Sequence, residues 1–122
     1  MKHDFFEQFV AEAWDNILEE FHAEVDNVDV VIEEWPDPET LRRVGVKNRS
    51  HLLGLYHGIP LTKRTRGYNL VLPDKISIYR QPIMMRCRDW EQVLRMVHRV
   101  LRHEVGHYFG LSDDRLREIG AY

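Results

Sequence analysis

Apolar residues recur at helical spacing from the start of the chain: Phe6, Val10, Ala13, Ile17 and Phe21, widened by Phe9, Trp14 and Leu18. The other face carries Glu12, Asp15, Glu19 and Glu20. An amphipathic helix is therefore expected, with Asp4 and Glu7 at capping-box spacing. Val28 to Trp35 is rich in β-branched residues and predicts a strand. Asp37-Pro38 pairs an N-cap with proline at the first helical position, opening a short helix through Arg43. Residues 44–50 form a basic loop. Leu52 to Ile59 predicts a second strand, whose Gly54 and Gly58 suggest an edge or a bulge. Pro60 to Asn69 predicts an exposed loop, and Pro73-Asp74 a turn. Lys75 to Arg80 reads as a third strand, with Ile76 and Ile78 alternating with Lys75 and Ser77. Asp89, with Gln92 three residues on, caps a long helix striped by Trp90, Val93, Leu94, Val97, Val100 and Leu101. It should run to about Phe109 and stop at Gly110. Ser112-Asp113-Asp114 would start a last short helix, Arg115 to Ile119. Helices and strands in this order make an α+β fold. The 122 residues leave room for one domain, 1–122.

The long helix carries the candidate chemistry. His103-Glu104-Val105-Gly106-His107 is an H-E-x-x-H pattern, and a four-residue step stacks both imidazoles on one helix face. Glu104 lies beside them, placed to act as a general base on a metal-activated water. Gly110 can turn the chain back, so that Asp113 supplies a third ligand, with Asp114 the competing carboxylate. Three protein ligands and one water make a catalytic zinc site. In this composition, the five-residue motif arises by chance with a probability of roughly 0.03. Adding the glycine and the later acid or histidine lowers that to roughly 2 × 10⁻⁴. Two histidines and a carboxylate also serve non-haem iron; the four-residue spacing with the intervening glutamate favours Zn²⁺. His98 falls off this face, Arg95, Arg99 and Arg102 read as a solvated stripe, and Cys87 as structural.

Composition narrows the setting. The chain is 43% apolar and 30% charged, as in a globular protein. It has no run long enough for a membrane span and no secretory signal, and its single cysteine suits a reducing cytoplasm. The net charge of −3 conceals a split. Residues 1–40 hold thirteen acidic side chains against one basic, and residues 41–122 hold sixteen basic against seven acidic. The two parts could pair across the fold, or the basic part could meet an anionic partner. Arg42, Arg43, Lys47 and Arg49, with Lys63, Arg64 and Arg66, support an alternative in which a non-proteolytic metal-binding protein contacts nucleic acid, with Tyr68 stacking on a base.

The motif resembles zincin metalloproteases, and the glycine with a third ligand is similar to metzincins. The methionine turn of metzincins is missing, because none of the nine residues after Asp113 is Met. A closer resemblance is to the minimal zincin family of small bacterial metallopeptidases. It is carried by Leu53-Gly54-Leu55-Tyr56 with Gly58, Pro60 and Leu61, by Leu72-Pro73-Asp74 with Ile76, Ile78, Tyr79, Arg80 and Pro82, and by the zinc motif with Arg115-Leu116, Glu118 and Gly120. The resemblance implies a small mixed sheet packed on an N-terminal helix and a long C-terminal active-site helix. It also implies that the strand holding Leu53 to Tyr56 lies near a cleft for an extended peptide substrate. The expected site is His103, His107 and Asp113 as metal ligands and Glu104 as base. Tyr56, His57 and Tyr68 are candidates for stabilising an oxyanion. The charge split would then set a basic rim around the metal, favouring carboxylate-rich substrates.

Overall fold

A computed structural model describes residues 5–21, 27–58, 74–110 and 114. Helix α1 spans Phe6–Phe21 and buries Phe6, Val10, Ala13 and Ile17, the stripe read from the sequence. The proposed cap at Asp4 lies outside the described residues. Strand β1 is Val28–Glu33, and Glu34 and Trp35 already bend away. Helix α2, Pro38–Val44, begins as expected: the Asp37 carboxylate accepts the Thr40 N–H at 2.7 Å. That bond holds the Asp37 carboxyl below its ordinary pKa, helped by Arg43 and Lys75. A short 3₁₀ turn, Arg49–His51, then leads into β2, Gly54–His57.

Strand β3 is Asp74–Tyr79 and forms the centre of a sheet ordered β1-β3-β2. It runs parallel to β1 and antiparallel to β2, so the sheet is mixed. β2 is thus an edge strand, one of the two readings its glycines allowed. Its partners run one for one from Gly54↔Ile78 to His57↔Lys75, which leaves no bulge. Asp74 belongs to the strand rather than to a turn, its N–H donating to the Asn27 carbonyl at 3.1 Å.

The chain passes from β3 straight into α3, Arg80–Met84, a helix absent from the sequence-based expectation, which ended the strand at Arg80. No turn residue marks the change. Pro82 sits in the first helical turn, where a missing N–H costs nothing. The donors at this helix start are met by Glu34: its carbonyl accepts Gln81 N–H at 3.1 Å and its carboxylate accepts Gln81 Nε2 at 2.9 Å.

Helix α4, Trp90–Tyr108, is capped by Asp89, whose side chain accepts Gln92 N–H at 2.9 Å. Gln92 returns the contact one residue early, accepting Arg88 N–H at 2.8 Å. The helix ends where the glycine predicts: Gly110 has φ +86° and donates to the His107 carbonyl. Val93, Val97, Val100, Leu101 and Val105 of α4 join α1 and the inward Ile76 and Ile78 of β3 in one core. Within it, the period of 3.6 in the helices and of 2 in the strands selects which side chains meet. The last helix expected over Arg115 to Ile119 and the loop Pro60 to Asn69 lie outside the described residues. No helix among the described residues is long and apolar enough to cross a membrane.

Candidate metal centre

The C-terminal half of α4 changes the chemistry of the buried stripe without changing its period. After Val97, Val100 and Leu101, the buried stripe continues through Glu104 and Val105, and the half-buried His103 and His107 flank it. Their ligand atoms lie within 4.8 Å of one another, the one such His/Cys/Asp/Glu group among the described residues. The two imidazole Nε2 atoms are 3.0 Å apart, with the rings nearly perpendicular at 84°. Two Zn–N bonds of about 2.0–2.1 Å at a tetrahedral angle would put the nitrogens roughly 3.3 Å apart, so the pair fits a divalent cation with a small adjustment. The half-buried rings combine access with a low-dielectric wall.

Glu104 is only 6% exposed, so its carboxylate needs donors inside the fold. Oε1 accepts the Tyr56 backbone N–H at 2.8 Å, while Oε2 lies 3.7 Å from His103 Nε2. One oxygen is held by the edge strand and the other lies beside the imidazoles. This juxtaposes a fixed carboxylate with a metal-ready pair, the arrangement needed to take a proton from a polarised water.

Beside it, Tyr56 Oη donates to the buried Asp74 carboxylate at 2.6 Å, and the Tyr56 ring packs edge-on against Tyr108. The Tyr56 hydroxyl is thus engaged within the fold. His57, the next residue, points to the other face of the sheet, as alternation along a strand demands. There its Nε2 meets Ser77 Oγ at 3.1 Å and its Nδ1 faces Arg43 at 3.4 Å. It therefore leaves the set of oxyanion candidates. Tyr68, Lys63, Arg64 and Arg66 lie outside the described residues, as does Asp113. Asp114 is described, exposed, and outside the His-Glu-His cluster.

The charge split is partly spent inside the molecule. Arg102 of α4 pairs with Glu20 of α1 at 2.6 Å, and Arg80 with Glu34 at 3.4 Å, each joining a basic residue to the acidic first part of the chain. Arg95 pairs along its own helix with Glu91 at 3.0 Å. Within the stripe expected to be solvated, Arg95 and Arg102 thus carry ion pairs while staying partly exposed.

Two contributors escaped the sequence: the Tyr56 backbone amide and Asp74. The only signal was a glycine in a predicted strand, a mark of close approach by another part of the chain as well as of edges and bulges.

Comparison with protein families places residues 25–121 on a family model described as zincin-like metallopeptidase. Comparison with curated proteins gave no match.

Proposed function

The chain belongs to the zincin-like metallopeptidase family, and from that premise we propose that it is a zinc-dependent peptidase with Glu104 as its general base. His103 and His107 would hold the ion, with Asp113 as third ligand. The observation that carries this reading is the His103–Glu104–His107 cluster at the end of α4, a buried carboxylate between two half-buried imidazoles. When bound there, zinc supplies Lewis acidity to the scissile carbonyl and to the attacking water.

The remaining work falls to the chain. The Glu104 carboxylate accepts the proton of the attacking water and returns it to the nitrogen of the leaving amine. No covalent nucleophile is needed, so a serine or cysteine has no part in the chemistry. Burial around Glu104 limits its contact with bulk water. The edge strand β2 supplies a rail on which an extended peptide can lie.

Zinc stoichiometry and peptide-library cleavage test the reading together. The purified chain, loaded with zinc and desalted, should retain about one ion per molecule. Library peptides should be cleaved, with cleavage abolished by a chelator and restored by zinc. Retention of no metal by the zinc-replete protein would refute the proposal.

A further inference from the structure

Tyr79 N–H donates to the Leu53 carbonyl at 2.9 Å, so Leu53 and Leu55 turn their main-chain groups toward β3. The intervening residues of β2 turn theirs outward. Tyr56 N–H is therefore an outward donor of the edge strand, and it is given to Glu104 Oε1. Reaching it requires α4 to lie close against β2, which the residue at position 54 decides. A Cβ built on Gly54 would lie 2.6 Å from Val100 Cγ1, 3.2 Å from the Ser77 carbonyl oxygen and 3.6 Å from Glu104 Cγ. A side chain at position 54 would meet Val100 first and push α4, and Glu104 with it, away from the strand.

We propose that Gly54 and the Tyr56 amide are positioning groups for Glu104, locking one carboxylate oxygen to the edge strand so that the other stays aimed at the histidine pair. Two further contacts keep the amide in place. The Tyr56 phenol is bonded to Asp74, and its ring packs on Tyr108 one turn beyond Glu104 on α4. The rail and the base are thus one unit: a displacement of β2 moves the carboxylate with it. This account of Glu104 as a held base rests on the peptidase reading, whereas the anchoring itself does not.

The test combines amide hydrogen exchange at Tyr56, zinc affinity and peptide kinetics. Glu104→Ala should speed Tyr56 exchange by at least about tenfold, the loss expected for a hydrogen bond to a charged acceptor. Glu104→Gln keeps an oxygen acceptor and should hold exchange within about threefold of wild type. Gly54→Ala should speed exchange by at least about tenfold. It should also lower kcat by at least about tenfold while zinc affinity stays within about threefold, because the base moves and the histidine pair does not. Adding Val100→Ala removes the 2.6 Å clash and should recover part of both losses.

Unchanged Tyr56 exchange in Glu104→Ala would overturn the proposal, as would wild-type kcat in Gly54→Ala. If Gly54→Ala fails to fold, the Glu104→Ala and Glu104→Gln pair still decides through exchange. If wild type cleaves no peptide, the peptidase reading falls, while the exchange pattern alone confirms or rejects the anchoring.

Discussion

The two faces of the sheet both bury polar side chains, but they use them differently. On the face covered by α4, the carboxylate of Glu104 is held by main chain and that of Asp74 by a phenol. On the opposite face, Ser77 is fully buried and its Oγ donates to Glu33 at 2.6 Å. Because that hydroxyl proton is spent, His57 must donate through Nε2–H to Ser77, leaving its Nδ1 lone pair toward Arg43. A chain therefore runs Arg43, His57, Ser77, Glu33, each donating to the next. It ties α2 and both outer strands to β3. The first arrangement aims a carboxylate at a metal-ready pair; the second links its side chains to one another across the sheet. Burial of polar residues is common to both, and the direction of their hydrogen bonds separates a reactive site from a brace.

If that distinction is right, substitutions on the two faces should separate activity from stability. The largest effect on stability is expected in the core behind the metal centre. Leu101 is fully buried between α1 and α4, and Leu101→Ala should cost about 2–5 kcal/mol in chemical denaturation. Zinc should move stability next. At a free concentration about a hundredfold above Kd, its removal by a chelator should cost about 2.7 kcal/mol. That effect should vanish in His103→Ala and His107→Ala. On the brace, Ser77→Ala strands the Glu33 carboxylate and His57 and should cost about 1–3 kcal/mol. Zinc affinity should stay within about threefold of wild type. A large loss of zinc binding in Ser77→Ala would show that the two faces are coupled.

The smallest effect is a pH dependence from the brace. Burial first, then Lys75 and Arg43, pushes the His57 pKa below its ordinary value, with Glu33 and Asp37 opposing. Between the folded value and about 6.5, the unfolded chain binds more protons than the folded one. The contribution of His57 is thus complete above about pH 6.5 and is lost as pH falls toward the folded value, with a slope of at most about 1.4 kcal/mol per pH unit. Denaturation midpoints between pH 7.5 and 5 should show that loss in wild type, and a reduced one in His57→Gln.

What the sequence revealed and what it hid follow from distance along the chain. The pair His103 and His107, with Glu104 between, was legible because a single helix turn brings the three together. The caps at Asp37 and Asp89 were legible for the same reason: their partners lie three residues away. Helix α3 was not, since its start is satisfied by Glu34, 47 residues before Gln81. The Tyr56–Glu104 bond spans 48 residues and uses a backbone amide, which leaves no trace in residue type. His57 was misplaced as an oxyanion candidate because proximity to the cleft strand was legible, whereas the side of the sheet it faces follows from register. That register depends on β3 lying between β1 and β2, a tertiary choice. Asp113, proposed as third ligand from its spacing after Gly110, lies outside the described residues.

The central claim, that Glu104 is the proton acceptor of a zinc peptidase, is tested most directly by Glu104→Gln measured beside wild type for zinc content and peptide cleavage. The account predicts equal zinc occupancy and a loss of about 10²–10⁴-fold in kcat, the range expected when a general base is removed. Cleavage at the wild-type rate by zinc-loaded Glu104→Gln would contradict it.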